Sequence, residues 1–228
     1  MAISFFSIFS PIFFVIAHHP ILLVLSVPAV FGLLGYIIHE RTGKPWGYFL
    51  IIPMFVLGML NVFCGQWLNA AYLNAVGVRG AAVIVDVQPT NGMLNDRRIM
   101  AYDVVLRTAD GRDVTTRFDS MSATIWPIRN AILVPPQGET FVAKYVPGFE
   151  YNIVIMSDES AYGKRRLMAE ARAPVDRALR MVRASPDNQV FQLEYRQALQ
   201  AFLDQYGDVA QPSVIERYQK ALAALRTQ

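Results

Sequence analysis

The sequence predicts an α+β membrane protein with three parts: an N-terminal transmembrane helical hairpin, a small five-stranded β-barrel of SH3 or OB type, and a C-terminal tail of about three α-helices. Of the 228 residues, 54% are hydrophobic and 17% are charged, whereas a typical soluble domain carries about 25% charge. The hydrophobic period changes from helical to alternating and back. We therefore expect a membrane region over 1–76, a β-barrel domain over 77–156 and a helical domain over 157–228.

The charges separate these regions. Residues 1–76 contain only Glu40, Arg41 and Lys44, whereas the β and helical regions are charged throughout and nearly balanced. The formal net charge of +3 is therefore a small excess and does not come from a basic face. Nucleic acid is not expected as a partner, because its binding needs clustered basic residues.

Two uncharged stretches, 20–38 and 46–73, are predicted transmembrane helices, since about 20 apolar residues cross the hydrocarbon core. Trp46 and Trp67 are separated by about 31 Å along a helix, which suits aromatic residues at both bilayer interfaces. The predicted membrane-anchor residues are Trp46, Trp67, Tyr36 and Tyr48. Residues 3–17 are also uncharged but shorter, and they either lie in the interface or cross as a short span.

Orientation depends on the loop between the two predicted spans. This loop carries Arg41 and Lys44, and basic residues near span ends stay cytoplasmic. We therefore expect a bacterial inner-membrane protein with its C-terminal domains in the periplasm. Inside the spans, Asn61 and Ser26 are predicted to approach each other, because a polar group in hydrocarbon seeks a partner.

The β region contains short alternating stretches separated by turn residues. Strands are predicted over 81–88, 99–108, 112–119, 140–146 and 151–156, with Asn91-Gly92 as the first turn and Tyr151, Ile153 and Ile155 facing inward. The apolar connection 120–138 either plugs the barrel or presents a patch to a partner. The candidate partner-binding residues in this connection are Met121, Trp126 and Ile128.

One stretch of this region resembles a known family. The segments YDVVLRTADGR and PPQGETFVAKYVPGFEYNIVI are similar to a widespread group of bacterial membrane-anchored proteins with a small β domain and no assigned function. The matching positions are Gly138, Glu139, Phe141, Ala143, Tyr145 and Pro147. The resemblance covers residues 77–156 and implies a fold and an anchor, with no catalytic residues.

Three amphipathic helices are predicted in the tail. They cover 160–184 with a kink at Pro174, a helix from an N-cap at Ser185 to Tyr206, and a last helix that begins with a capping box at Ser213. The first helix opens with the densest basic cluster of the chain. Its residues Lys164, Arg165 and Arg166 are candidates to contact an acidic partner or lipid headgroups.

Catalytic and metal-binding patterns are scarce. Residues 77–228 contain no histidine or cysteine, so neither a Ser-His-Asp site nor an ordinary zinc site is expected within them. The aspartates Asp86, Asp103, Asp110, Asp113 and Asp119 leave a metal-dependent enzyme open as an alternative, although solvated strand faces explain them better. We expect no cofactor and no bound metal.

These observations favour a non-enzymatic membrane protein whose outer domains bind a protein partner. One concrete version is an immunity protein against a toxin delivered by a neighbouring bacterium. An accessory subunit of a secretion or transport complex is the alternative version.

Overall fold

The computed structural model describes residues 5–129 and 133–225, and the chain divides into two compact units, Met1–Tyr162 and Gly163–Gln228. The helices are α1 (Ser10–His18), α2 (Pro20–Thr42), α3 (Ile51–Val76), α4 (Ala161–Ala184), α5 (Gln189–Tyr206) and α6 (Pro212–Ala224). The strands are β1 (Val78–Leu94), β2 (Arg97–Arg107), β3 (Asp113–Asp119), β4 (Ile125–Trp126), β5 (Thr140–Val146) and β6 (Phe149–Met156). Short 3₁₀ turns over Phe5–Ile8 and Pro45–Leu50 precede α1 and α3.

Two helical segments, Pro20–Thr42 and Pro45–Val76, are long and apolar enough to cross a membrane. Only 6% and 11% of their most apolar windows are buried inside the protein. A core helix of a soluble protein would be mostly buried, because its apolar face has to leave water. The two helices are therefore compatible with membrane anchoring, on evidence of length, composition and exposure.

Glycines bring α2 and the segment that contains α3 close together. A Cβ on Gly58 would lie 3.0 Å from the Cα of Val24, and one on Gly47 would lie 2.9 Å from the Cα of Gly35. These two contacts place the helices antiparallel, with the end of α2 beside the start of the 45–76 segment. Close backbone approach through small residues is typical of helices that pack in lipid.

The six strands form one open mixed sheet in the order β3-β2-β1-β5-β6-β4. All neighbours are antiparallel except β4 and β6, which are parallel. The five-stranded SH3- or OB-type barrel that the sequence predicts is therefore wrong. The connection 120–138 contributes β4, which pairs with the end of β6 and forms the edge of the sheet. In the described chain, β3 pairs with β2 alone.

The first β-hairpin turns later than the sequence predicts. The Asn91-Gly92 turn is wrong: β1 continues through these residues, with register shifts between Ile84 and Asp86 and between Pro89 and Met93. The turn falls at Asn95 and Asp96, whose φ angles are +50° and +60°. Asn and Asp are the non-glycine residues that most readily adopt this left-handed conformation.

The sheet has apolar clusters on both of its faces. One contains Ile84, Val104, Leu106, Phe141 and Ile155, all almost completely buried. The other packs Val146, Val154 and Met156 against Ala70 and Leu73 of α3. The last turns of α3 therefore belong to the same core as the sheet, and this contact fixes the sheet against the helix.

The second unit is a cluster of amphipathic helices. A shared core contains Val175 and Ala178 of α4, with further members from α5 and α6: Tyr195, Leu199, Phe202, Val214, Tyr218 and Leu222. The chain remains helical through Pro174. Two predicted caps are wrong. The N-cap of α5 is Asn188, whose Oδ1 accepts hydrogen bonds from the amides of Val190 and Phe191, and α6 begins at Pro212.

Candidate functional site at the junction of helices and sheet

Helix α1 packs along α3 and connects it to the sheet. The Asn61 side chain donates a hydrogen bond from Nδ2 to the carbonyl oxygen of Ile16 over 3.0 Å. Gly65 lies one turn further along α3, where a Cβ would come within 2.7 Å of the same oxygen. Asn61 therefore has a partner in α1, and no hydrogen bond joins it to Ser26 in the described part of the chain.

A buried pair of asparagines joins α3 to β6. Asn69 and Asn152 are both 0% exposed, and each donates from Nδ2 to the Oδ1 of the other over 2.9 Å. Asn69 also donates to Oγ1 of Thr124, while Asn152 reaches the carbonyl and hydroxyl oxygens of Ser10 at 3.3 and 3.4 Å. Four separate segments thus meet in one buried polar network.

The end of α1 forms one wall of two adjoining cavities, of about 210 and 290 Å³. Residues common to both are His18, Asp119 and Ser122. The His18 ring stacks on Phe14 at 4.0 Å, and its Nδ1 donates to the carbonyl oxygen of Phe14 over 3.1 Å. Burial lowers the pKa of His18, although the bond to Phe14 and the charge of Asp119 oppose that change. The lowered pKa favours the neutral form of the ring.

Asp119 closes the turn that follows β3. One of its carboxylate oxygens accepts hydrogen bonds from the amides of Met121 (2.8 Å) and Ser122 (2.7 Å), and the Ser122 hydroxyl accepts from the Asp119 amide (3.0 Å). These are local turn bonds, which hold the Ser122 hydroxyl and the Asp119 carboxylate in place beside the cavity.

The cavity brings together the three residue types of a serine hydrolase, which the sequence could not predict because its histidine comes from α1. A working triad needs hydrogen bonds from nucleophile to base and from base to carboxylate. Among the described residues, neither Ser122 nor Asp119 is hydrogen-bonded to His18, whose Nδ1 is held by a backbone carbonyl. The described residues therefore form a cavity with a few polar side chains in its wall and no assembled triad.

The other aspartates lie in different places and have different partners. Asp103 and Asp113 pair with Arg117 and Arg107 across neighbouring strands. Asp86 accepts from the amide of Val87 and from Gln88, and Asp110 accepts from Thr108 and Arg112. In the described part of the chain, no group of three His, Cys, Asp or Glu side chains is arranged to hold a metal.

The predicted partner-binding residues fall into separate places. Met121 is exposed and lines the 210 Å³ cavity, Ile128 is exposed, and Trp126 in β4 packs against the cluster beneath α3. In the second unit, Lys164 and Arg165 are exposed, while Arg166 pairs with Glu170 over 2.6 Å. Residues 130–132, which include part of the predicted crossover patch, lie outside the described residues.

The predicted membrane anchors lie on the two apolar segments. Trp46, Trp67 and Tyr36 are each about half exposed. Tyr48 is partly buried, with its ring against Gly35 and His39. Their exposure on the surface of the two apolar segments is compatible with contact with lipid.

A groove of about 590 Å³ runs between α4 and α5 in the second unit. Its lining combines small residues and a proline with charged and amide side chains. The lining residues are Ala173, Pro174, Ala178, Ala198, Glu170, Arg177, Glu194 and Gln197. Sequence reasoning identified the helices but missed this groove, because it depends on how α4 and α5 cross.

Comparisons with known proteins give no match: no family model, no curated protein and no solved structure is similar to this chain. The resemblance to the membrane-anchored β-domain group therefore stays a prediction.

Proposed function

We propose that this chain is a membrane-anchored binding protein without catalytic activity. The observation that carries the proposal is the exposure of large apolar side chains along α2 and α3, which lipid would cover. With Arg41 and Lys44 on the cytoplasmic side, the sheet and the second unit lie in the periplasm of a bacterial cell. The buried Asn69–Asn152 pair supports a sheet held firmly against its anchor.

The groove between α4 and α5 is the binding site that we assign for a protein partner. Small side chains in its lining, Ala173, Ala178 and Ala198, leave room for an apolar segment, and Glu170 and Arg177 offer both signs of charge. Grooves that combine small apolar residues with charged ones are typical of peptide and helix recognition. A specific form of this proposal is an immunity protein, in which the partner is a toxin acting at the membrane.

The experiment is a pull-down of the full chain, solubilised in mild detergent after crosslinking in intact cells. Ala173→Trp fills the groove at an exposed position, and Gln219→Trp on α6 is the matched control for an added indole. We expect Ala173→Trp to lose the captured partner and Gln219→Trp to retain it. Capture of a toxin supports the immunity form, whereas capture of a stoichiometric transport subunit favours the accessory form.

Membrane anchoring is tested separately. The full chain should remain in the membrane pellet after washing with alkaline carbonate and should enter the supernatant only with detergent. Release by the wash alone would contradict the anchor. Equal capture by both tryptophan variants would contradict the groove while leaving the anchor intact.

A further inference from the structure

The tip of the β1–β2 hairpin, residues 91–98, extends beyond the rest of the sheet. Strand β1 pairs with β5 only over Val78–Val83, and β2 pairs with β3 only from Ala101 onward. Within the tip, Met93 pairs with Arg98 and Leu94 with Arg97. The tip therefore lies outside the part of the sheet that is paired on both sides, and its side chains can meet another surface.

The tip combines apolar and basic side chains on neighbouring residues. Met93 and Leu94 are 64% and 50% exposed. Arg97 and Arg98 are also exposed, and neither forms an ion pair with a carboxylate among the described residues. Exposed apolar side chains cost free energy in water, and unpaired guanidinium groups favour oxyanions such as phosphate.

Shared neighbours place the tip near the start of α2. Leu94 and Asn95 border a cavity that also contains Met121. Met121 in turn lines the 210 Å³ cavity together with Ile21 of α2 and Val62 of α3. Thr90, just before the tip, shares the 290 Å³ cavity with the histidines that join α1 to α2. The tip is therefore at the end of the sheet nearest the apolar helices.

The opposite end of the sheet lies beside the N-terminal segment. There the β2–β3 turn is tied to the β5–β6 turn, because Arg112 pairs with Glu150 and Glu150 accepts from the amide of Gly148. A Cβ on Gly148 would lie 3.9 Å from the Cβ of Ser7, and Ser7 precedes α1. The two ends of β2 thus lie at opposite ends of α1.

We propose that the hairpin tip is a second membrane contact, in which Met93 and Leu94 enter the headgroup region and Arg97 and Arg98 bind lipid phosphates. The inference rests on the proposed membrane anchoring, which fixes the start of α2 at the lipid surface. With the tip inserted, the sheet has a contact with the bilayer in addition to its packed contact with α3.

The test measures the depth of the tip in the full chain reconstituted into lipid vesicles. In a Cys64→Ser background, an environment-sensitive fluorophore is attached at Leu94→Cys, with Met93→Cys as a second reading from the tip. Ala109→Cys in the β2–β3 turn is the matched control at the other end of β2, where the side chain is also exposed. Quenching by nitroxide-labelled lipid reports contact with the bilayer.

We expect several-fold stronger quenching at positions 94 and 93 than at 109. In vesicles that contain phosphatidylglycerol, Arg97→Glu with Arg98→Glu should weaken the quenching, since each basic residue near an anionic surface changes the local equilibrium about fivefold. Equal quenching at 94 and 109 in a chain that stays in the membrane pellet would overturn the lipid contact of the tip and leave the membrane anchor intact. The exposed tip would then be a contact for a protein partner. A chain that leaves the pellet would overturn both the inference and the anchor.

Discussion

The helical hairpin and the sheet bury opposite kinds of residue. Where α2 meets the segment containing α3, the contacts are made by glycines such as Gly47 and Gly58, and large side chains point outward. In the sheet, large side chains such as Phe141 fill the interior and charged residues lie on the surface. The difference is compatible with a helix pair in lipid and a sheet in water, since a helix pair in lipid gains little by burying large apolar groups, whereas a sheet in water gains most of its stability that way.

The largest expected difference between the two regions is in the stability lost when one phenylalanine ring is removed from each. Phe141 is 1% exposed and Phe63 on α3 is 70% exposed. We expect Phe141→Ala to lower the free energy of unfolding by about 3–5 kcal/mol, because it leaves a cavity in a packed core. Phe63→Ala should change it by less than about 1 kcal/mol.

Denaturant unfolding of the full chain in detergent micelles, followed by circular dichroism, measures both variants. Equal losses at the two positions would contradict an outward-facing surface on α3. A negligible loss at Phe141 would contradict the sheet core.

A second prediction concerns the polar network between the two regions. Asn69→Leu leaves the Asn152 amide buried without its main partner, and we expect a loss of about 1–3 kcal/mol in the free energy of unfolding. The double variant with Asn152→Leu should lose less than the sum of the two single variants, because no orphaned amide remains. Additive losses in that cycle, measured by the same unfolding assay, would contradict a direct amide pair.

The third prediction tests the glycine contacts of the hairpin. Gly58→Ala places a methyl group 3.0 Å from the backbone of Val24, so the helices must separate, and we expect a loss of about 1–3 kcal/mol. Gly32→Ala is the matched control on α2, since its methyl would lie 3.6 Å from the side chain of Ile51, an ordinary contact. Unfolding of both alanine variants at the same denaturant concentration would argue against close packing.

The sequence predicted individual elements better than their assembly. Alternation correctly placed Ile153 and Ile155 in the core, because one face of a strand turns inward whatever the sheet topology. Tyr151 was expected inward on the same pattern but is exposed. Strand β6 is buried on both faces toward its end, because α3 covers Val154, and this contact lies far away in the sequence.

The sequence predicted neither the open sheet nor the site at the junction of helices and sheet, and the reason is the same for both. A two-residue strand such as β4 carries no periodic signal, yet it sets the edge of the sheet. The cavity at His18 joins residues about 100 positions apart, and Asn69 gives no sign in the sequence that its partner is Asn152. Asn69 itself was the available signal in the sequence. An amide near the end of an apolar helix needs a hydrogen-bond partner when it is buried, although the sequence does not say which one.

The smallest expected effect is a pH dependence confined to the sheet. Desolvation would raise the pKa of the nearly buried Glu150, but hydrogen bonds from the Gly148 amide and from Arg112 outweigh it, and the pKa lies below its ordinary value of about 4.3. A carboxyl with a lowered pKa in the folded state stabilises the fold above its unfolded pKa. That contribution disappears as the pH falls through the folded pKa. Stability should therefore decline below about pH 4.3.

The Glu150→Gln variant isolates this contribution. Because half of the Arg112 side chain is exposed, solvent weakens the pair, and we expect the substitution to cost about 1 kcal/mol or less at pH 7 and to flatten the acid limb of the stability curve. Asp103→Asn, at a more exposed strand pair with Arg117, is the control and should leave that limb closer to wild type. An acid limb that persists unchanged in Glu150→Gln would come from other carboxylates, and the role assigned to Glu150 would be wrong.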